Sequence, residues 1–257
     1  MAPRFLKITQ QAAFYGLLYL LWQTVYNLKL WPAYLIPSPA DVVQTFAEGL
    51  KDGSYVGAAG ASLARLVAGY TVSVIFGIGL GVAAAKWSLF DETAGRLFVA
   101  LQTLPSICWL PLTMLWFGAG ELAIFVVVTM GSLLSIAIAT KEGLKSILPL
   151  YLRAGRNMGA RGRVMFLNVV LPAAFPMILA GLKQGWIFAW RSLMAGEILM
   201  TGVGLGSLLN TGRQMNDMSR VLSVMLSIVA IGAVIDLVLF NWAEKKVRTI
   251  WGVEQRS

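Results

Sequence analysis

The chain has 257 residues, 58% of them apolar and only 13% charged, about half the charged fraction that a soluble domain carries. Its mean hydropathy of +0.72 and net charge of +9 therefore point to a basic integral membrane protein. With no histidine and one cysteine, it cannot form an internal disulfide, a Cys/His metal centre or a histidine-assisted nucleophile, and no lysine follows a glycine as a phosphate-binding loop requires.

A bilayer core about 30 Å thick needs roughly 20 mostly apolar residues per helical crossing. On that rule the chain reads as one all-α membrane domain over 1–257 with about six spans. The first, 12–26, is short and follows Arg4 and Lys7. No small-x-small cleavage site comes after Trp22, so it is expected to stay attached. In "LIPSPADVVQTFAEGL" (35–50), Pro37 and Pro39 end an extended piece, and Ser38 or Asp41 can cap a short helix at the outer surface. The second span is 66–85. The third, 97–117, is interrupted by Pro105 and Pro111, with Cys108 expected as a small core residue between them. The fourth is 122–140.

The segment 141–171 holds Lys141, Lys145, Arg153, Arg156, Arg161 and Arg163. Because cytoplasmic loops are enriched in Lys and Arg, this loop is placed in the cytoplasm, together with both termini. Within it Leu148, Tyr151, Ala154 and Met158 share one face of a short helix. Gly159 suits a left-handed cap after it. A second helix begins near Arg161 and carries Val164, Leu167, Val169 and Leu171 towards Pro172. The resulting helix–turn–helix elbow runs without slack into the fifth span. It is either a mechanical contact or a basic loop resting on lipid headgroups.

The fifth span, 172–200, carries Lys183, Arg191 and Glu197. Charge at the bilayer centre is expensive, so such groups face protein or water. Lys183 and Arg191 are eight residues apart and could share one sector of the helix, with Trp190 adjacent. Arg191 either lines a pathway, where its paired donors suit an oxyanion, or pairs with Asp236 or Glu197 to fix packing. Lys183, nearer the cytoplasmic end, could snorkel. "TGVGLGSLLN" (201–210) suggests a tight turn or a re-entrant loop before the sixth span, 221–242. Gly77/Gly81 and Gly181/Gly185 permit close helix approach, as at a dimer interface. The net charge is topogenic and favours anionic membrane lipid; no basic patch on a soluble domain implies nucleic acid.

"RAGRNMGARGRVMFLNVVLPAA" (153–174) resembles the EAA loop of permease subunits in binding-protein-dependent ABC importers. That pattern is Glu-Ala-Ala, three residues, Gly, nine residues, Ile-x-Leu-Pro. Arg153, Ala154 and Gly155 occupy the first triplet, Gly159 the glycine (after Met158 and before Ala160), and 169–172 the ending with Leu171 and Pro172; Arg153 departs from the usual Glu. "LPSICWLPLTMLWFGAGE" (104–121), with Trp109, and "LAGLKQGWIFAWRSLMAGEIL" (179–199) are similar to the nitrate, sulfonate, taurine and bicarbonate branch. The resemblance implies a type I importer permease of the bacterial inner membrane, non-catalytic and binding no cofactor itself. It implies pairing with a second permease copy, two ATPase subunits that hold ATP and magnesium, and an extracytoplasmic binding protein. Coupling would use 153–160 with Leu171 and Pro172. The pathway would use Arg191, Trp190, Lys183, Glu197 and Trp109. A secondary transporter is the rival reading, but it would call for inverted repeats, and the two halves show no convincing one.

Overall fold

The computed structural model describes residues 2–32, 34–200 and 202–250, and these are helical with no strand among them. The helices are α1 (Ala2–Asn27), α2 (Pro39–Lys51), α3 (Ser54–Lys86), α4 (Ser88–Gln102) and α5 (Ser106–Phe117), α6 (Glu121–Lys145), α7 (Pro149–Asn157), α8 (Gly162–Leu199), α9 (Leu205–Gln214) and α10 (Met218–Val247). Four of them, α3, α6, α8 and α10, are long and apolar enough to cross a membrane.

The expected third span is not one rod. α4 and α5 meet at a 104° bend, because Pro105 removes a backbone donor and ends the helix. Pro111 does not kink anything: it lies in the first turn of a helical segment, where a missing N–H costs nothing. Cys108, expected in the core, is exposed at this bend.

Ion pairs fix the directions. Arg65 near the start of α3 meets Glu121 at the start of α6, while Asp91, just beyond α3, meets Lys141 and Lys145 at the other end of α6. α3 and α6 therefore run parallel, and the bent pair α4–α5 carries the chain back from the end of α3 to the level of Arg65, where α6 begins. The expected span at 12–26 lies within α1, which is not among the helices apolar enough to count as a crossing by composition.

α6 is the centre of the bundle, packed between α3 and α8. The approach depends on glycines. A Cβ on Gly181 would come within 2.2 Å of Ala139, one on Gly185 within 2.7 Å of Ile136, and one on Gly81 within 2.5 Å of the Ala137 carbonyl. Both small-residue pairs thus face α6 of the same chain, not a second copy. Ser132 donates to Ser73 at 2.7 Å, and Ser73 to the Thr129 carbonyl at 2.9 Å, across the α3–α6 seam. Leu66, Val127, Val128, Ala189 and Leu193 are the buried apolar centre.

At the far end of α3, Ser38 caps α2: its hydroxyl accepts from the Asp41 N–H, and the Asp41 carboxylate accepts from the Ser38 N–H, both at 3.1 Å. The expectation offered Ser38 or Asp41; a capping box uses both.

Candidate functional site

The elbow forms as the residue pattern requires. α7 ends in a Schellman motif: the Ala160 N–H donates to the Gly155 carbonyl at 2.9 Å and the Gly159 N–H to the Arg156 carbonyl at 3.0 Å. Gly159 has φ +83°, the left-handed conformation that side chains resist. A Cβ there would meet nothing within 4 Å, so the restriction is one of backbone conformation and not of space. Gly155 is the opposite case. It is buried, and a Cβ on it would lie 2.9 Å from Met165 Sδ and 3.0 Å from Val169, so a side chain would push the two arms of the elbow apart.

The second arm opens at Gly162 and is continuous with α8 as far as Leu199. A π turn at Phe166–Val170 sits where Pro172, lacking an N–H, cannot take the carbonyl four residues back. Tyr151, Ala154 and Gly155 from α7, with Met158 just after it, face Asn168, Val169, Pro172 and Ala173 of α8 across a cleft of about 220 Å³. The structure therefore gathers most of the sequence-identified elbow residues. Leu171 is half-buried beside them, and Arg153 is exposed with no ion pair among the described residues.

About two turns before its C-terminal end, α8 presents Arg191 to a cavity of about 250 Å³. The bend between α4 and α5 supplies Gln102, Ser106 and Trp109; α6 supplies Met130 and Leu134; Phe188 completes the wall. Arg191 is exposed to this space and has no ion pair among the described residues. Neither expected pairing forms, with Asp236 or with Glu197, because both carboxylates are taken.

Lys183 pairs with Asp236 at 3.0 Å and Glu244 at 3.2 Å, tying α8 to α10. It faces α10 and does not share the Arg191 sector. Trp190 also turns away from the cavity: it is half-buried against Gly232 of α10, whose Cβ would lie 3.5 Å from the indole nitrogen.

Glu197 is wholly buried and does not line the cavity. Its carboxylate accepts from Ser62 at 2.7 and 2.9 Å, from Arg65 at 2.7 Å and from the Gly206 N–H at 3.0 Å. Arg65 also grips Glu121 with two further donors at 2.6 Å each, and the Val203 carbonyl. The glycine-rich segment expected to turn or re-enter closes over this carboxylate, with Gly204 and Gly206 each leaving no room for a Cβ beside Glu197. Gln102, Ser106, Arg65 and Ser62 carried no signal in the sequence; each depends on which helix faces which.

An elbow continuous with a long helix, and an unpaired arginine at a broken helix in the same bundle, are parts a transport channel can use. The family described as binding-protein-dependent transport system inner membrane component matches residues 75–249, and the chain belongs to it. It is thus a membrane-embedded, multi-pass transport permease, a non-catalytic subunit of an ABC importer. A protein of Methanocaldococcus jannaschii named as an ABC transporter permease is 30% identical over 76% of this chain and 73% of its own length. The taurine transport system permease protein of Escherichia coli is 27% identical over 90% and 86%. Other relatives are named for bicarbonate and nitrate transport. The inward-facing MetNI methionine ABC transporter superposes with a TM-score of 0.60, at 20% identity, over 74% of this chain and 92% of that one, which establishes a shared fold.

Proposed function

We propose that two copies of this chain form the translocation pathway of an ATP-driven importer for a small oxyanion. A binding protein delivers the solute from outside, and two ATPase subunits, holding ATP and magnesium, grip the elbow at 150–165 from the cytoplasm. Six crossings, with α1 and the α4–α5 pair each counted as one, leave both termini on one side of a bacterial inner-membrane protein with a single domain, and the basic segment 141–171 on that side makes it the cytoplasm.

The observation that carries this reading is mechanical continuity. Only 158–161 separate α7 from α8, and the Schellman cap holds that turn, which supports transmission of a displacement of α7 to the helix that bears Arg191. The unpaired guanidinium in a cavity otherwise lined mainly by apolar groups supports an anion, since a buried oxyanion needs charge-assisted donors. The names of the taurine, bicarbonate and nitrate relatives favour the same class.

The test is Gly159→Val beside Gly159→Asn. A β-branched residue at φ +83° is disfavoured by about 1–2 kcal/mol, whereas Asn tolerates that conformation. The Val variant should insert and bind the ATPase subunits yet lose ATP-driven, binding-protein-dependent uptake, and Asn should retain most of it. Normal uptake by Gly159→Val refutes the coupling role.

A further inference from the structure

At the elbow end of the bundle a groove of about 600 Å³ opens between the last turns of α3 and the first turns of α8. Lys86 and Arg163 stand at its mouth, while Val82, Met165, Phe166 and Val170 form its walls. Both cations are exposed and have no ion pair among the described residues. Lys141, Lys145 and Lys183 all have carboxylate partners.

The order of polarity along the groove is informative. Lys86 is the last residue of α3 and Val82 lies one turn deeper. Arg163 is the second residue of α8, with Phe166 and Val170 one and two turns further in. Charge is outermost, and apolar wall continues along two helices long enough to span a bilayer. A free phosphate would satisfy the cations and leave the walls exposed. A phospholipid, with its anionic headgroup outward and its chains inward, satisfies both.

We propose that this groove holds one anionic phospholipid, its phosphate between Lys86 and Arg163 and an acyl chain along Val82, Phe166 and Val170. The assignment to the cytoplasmic leaflet rests on the orientation proposed above. The site itself does not, since the groove would meet a headgroup layer on either face.

The purified complex with its ATPase partners is reconstituted in phosphatidylcholine bilayers doped with a photoactivatable phosphatidylglycerol, or separately with the matching phosphatidylcholine probe. Cross-linked peptides are then mapped by mass spectrometry. Phosphatidylglycerol should label 82–86 and 162–170, and Lys86→Gln/Arg163→Gln should lower that labelling roughly tenfold or more, as expected from loss of two interfacial cations. If the double variant fails to assemble, the comparison of the two probes on the unaltered protein decides alone. Equal labelling by both probes, or labelling that survives the double substitution, overturns the proposal. So does removal of the label by inorganic phosphate, which would assign the cations to a free anion. Labelling of the bare permease that vanishes in the complex would give the groove to a protein partner and overturn it as well. Sidedness of Met158 in sealed vesicles, measured separately, tells a wrong orientation from a wrong site.

Discussion

Arg65 donates to Glu197 at 2.7 Å, joining α3 to α8 around a carboxylate with no solvent exposure. The same guanidinium reaches Glu121, whose side chain is 67% exposed. One arginine thus serves two carboxylates in very different surroundings. Removing Glu197 leaves Arg65 paired with Glu121 but takes the buried acceptor from the Ser62 hydroxyl and the Gly206 N–H, at about 1–3 kcal/mol for each group left unsatisfied, whereas an exposed pair contributes about 0–1 kcal/mol. Glu197→Ala should therefore lower the thermal unfolding midpoint of the detergent-purified complex much more than Glu121→Ala. Equal shifts would show that the buried network is not holding the helix ends.

The α6–α8 seam makes a reciprocal prediction. A methyl on Gly181 would overlap the Ala139 methyl at 2.2 Å, and overpacking of this kind costs about 1–3 kcal/mol. Gly181→Ala should destabilise the protein, and adding Ala139→Gly should restore most of the loss. A Cβ on Gly79, in α3, would meet nothing within 4 Å, so Gly79→Ala should be neutral. The readout is the unfolding midpoint, and failure of the double variant to recover would contradict this packing.

Arg191 and Lys183 should separate in function. A charge-assisted hydrogen bond contributes about 1.5–3 kcal/mol, so Arg191→Gln should weaken anion uptake roughly 10- to 100-fold in the concentration giving half-maximal rate. Lys183→Gln removes a contact to Asp236 and Glu244 and should leave that concentration nearly unchanged. Initial rates in proteoliposomes measure both. Unaltered uptake by a fully assembled Arg191→Gln complex would remove it from the pathway.

Much of this architecture is legible in local pattern. The long apolar stretches, the cap at Ser38 and the left-handed glycine at 159 depend on residues within a turn of one another, and local chemistry decides them. Pairings between helices were not legible. Helical arithmetic puts Lys183 and Arg191 about 80° apart, yet it cannot say that α10 faces one and the α4–α5 bend the other. The acidic partners proposed for Arg191 failed for that reason: Asp236 meets Lys183, and Glu197 meets an arginine 132 residues away. Pro105 and Pro111 looked alike in sequence. Only the structure separates the proline that ends a helix from the one that begins the next.

The most direct test concerns where the elbow lies. Met158 is 79% exposed, so a cysteine there will meet any reagent that reaches its side of the membrane. In a Cys108→Ser background, Met158→Cys should resist a membrane-impermeant maleimide in intact cells and react in inside-out vesicles, with protection when the ATPase subunits are bound. Labelling of Met158→Cys from the outside of intact cells would contradict the account at its centre.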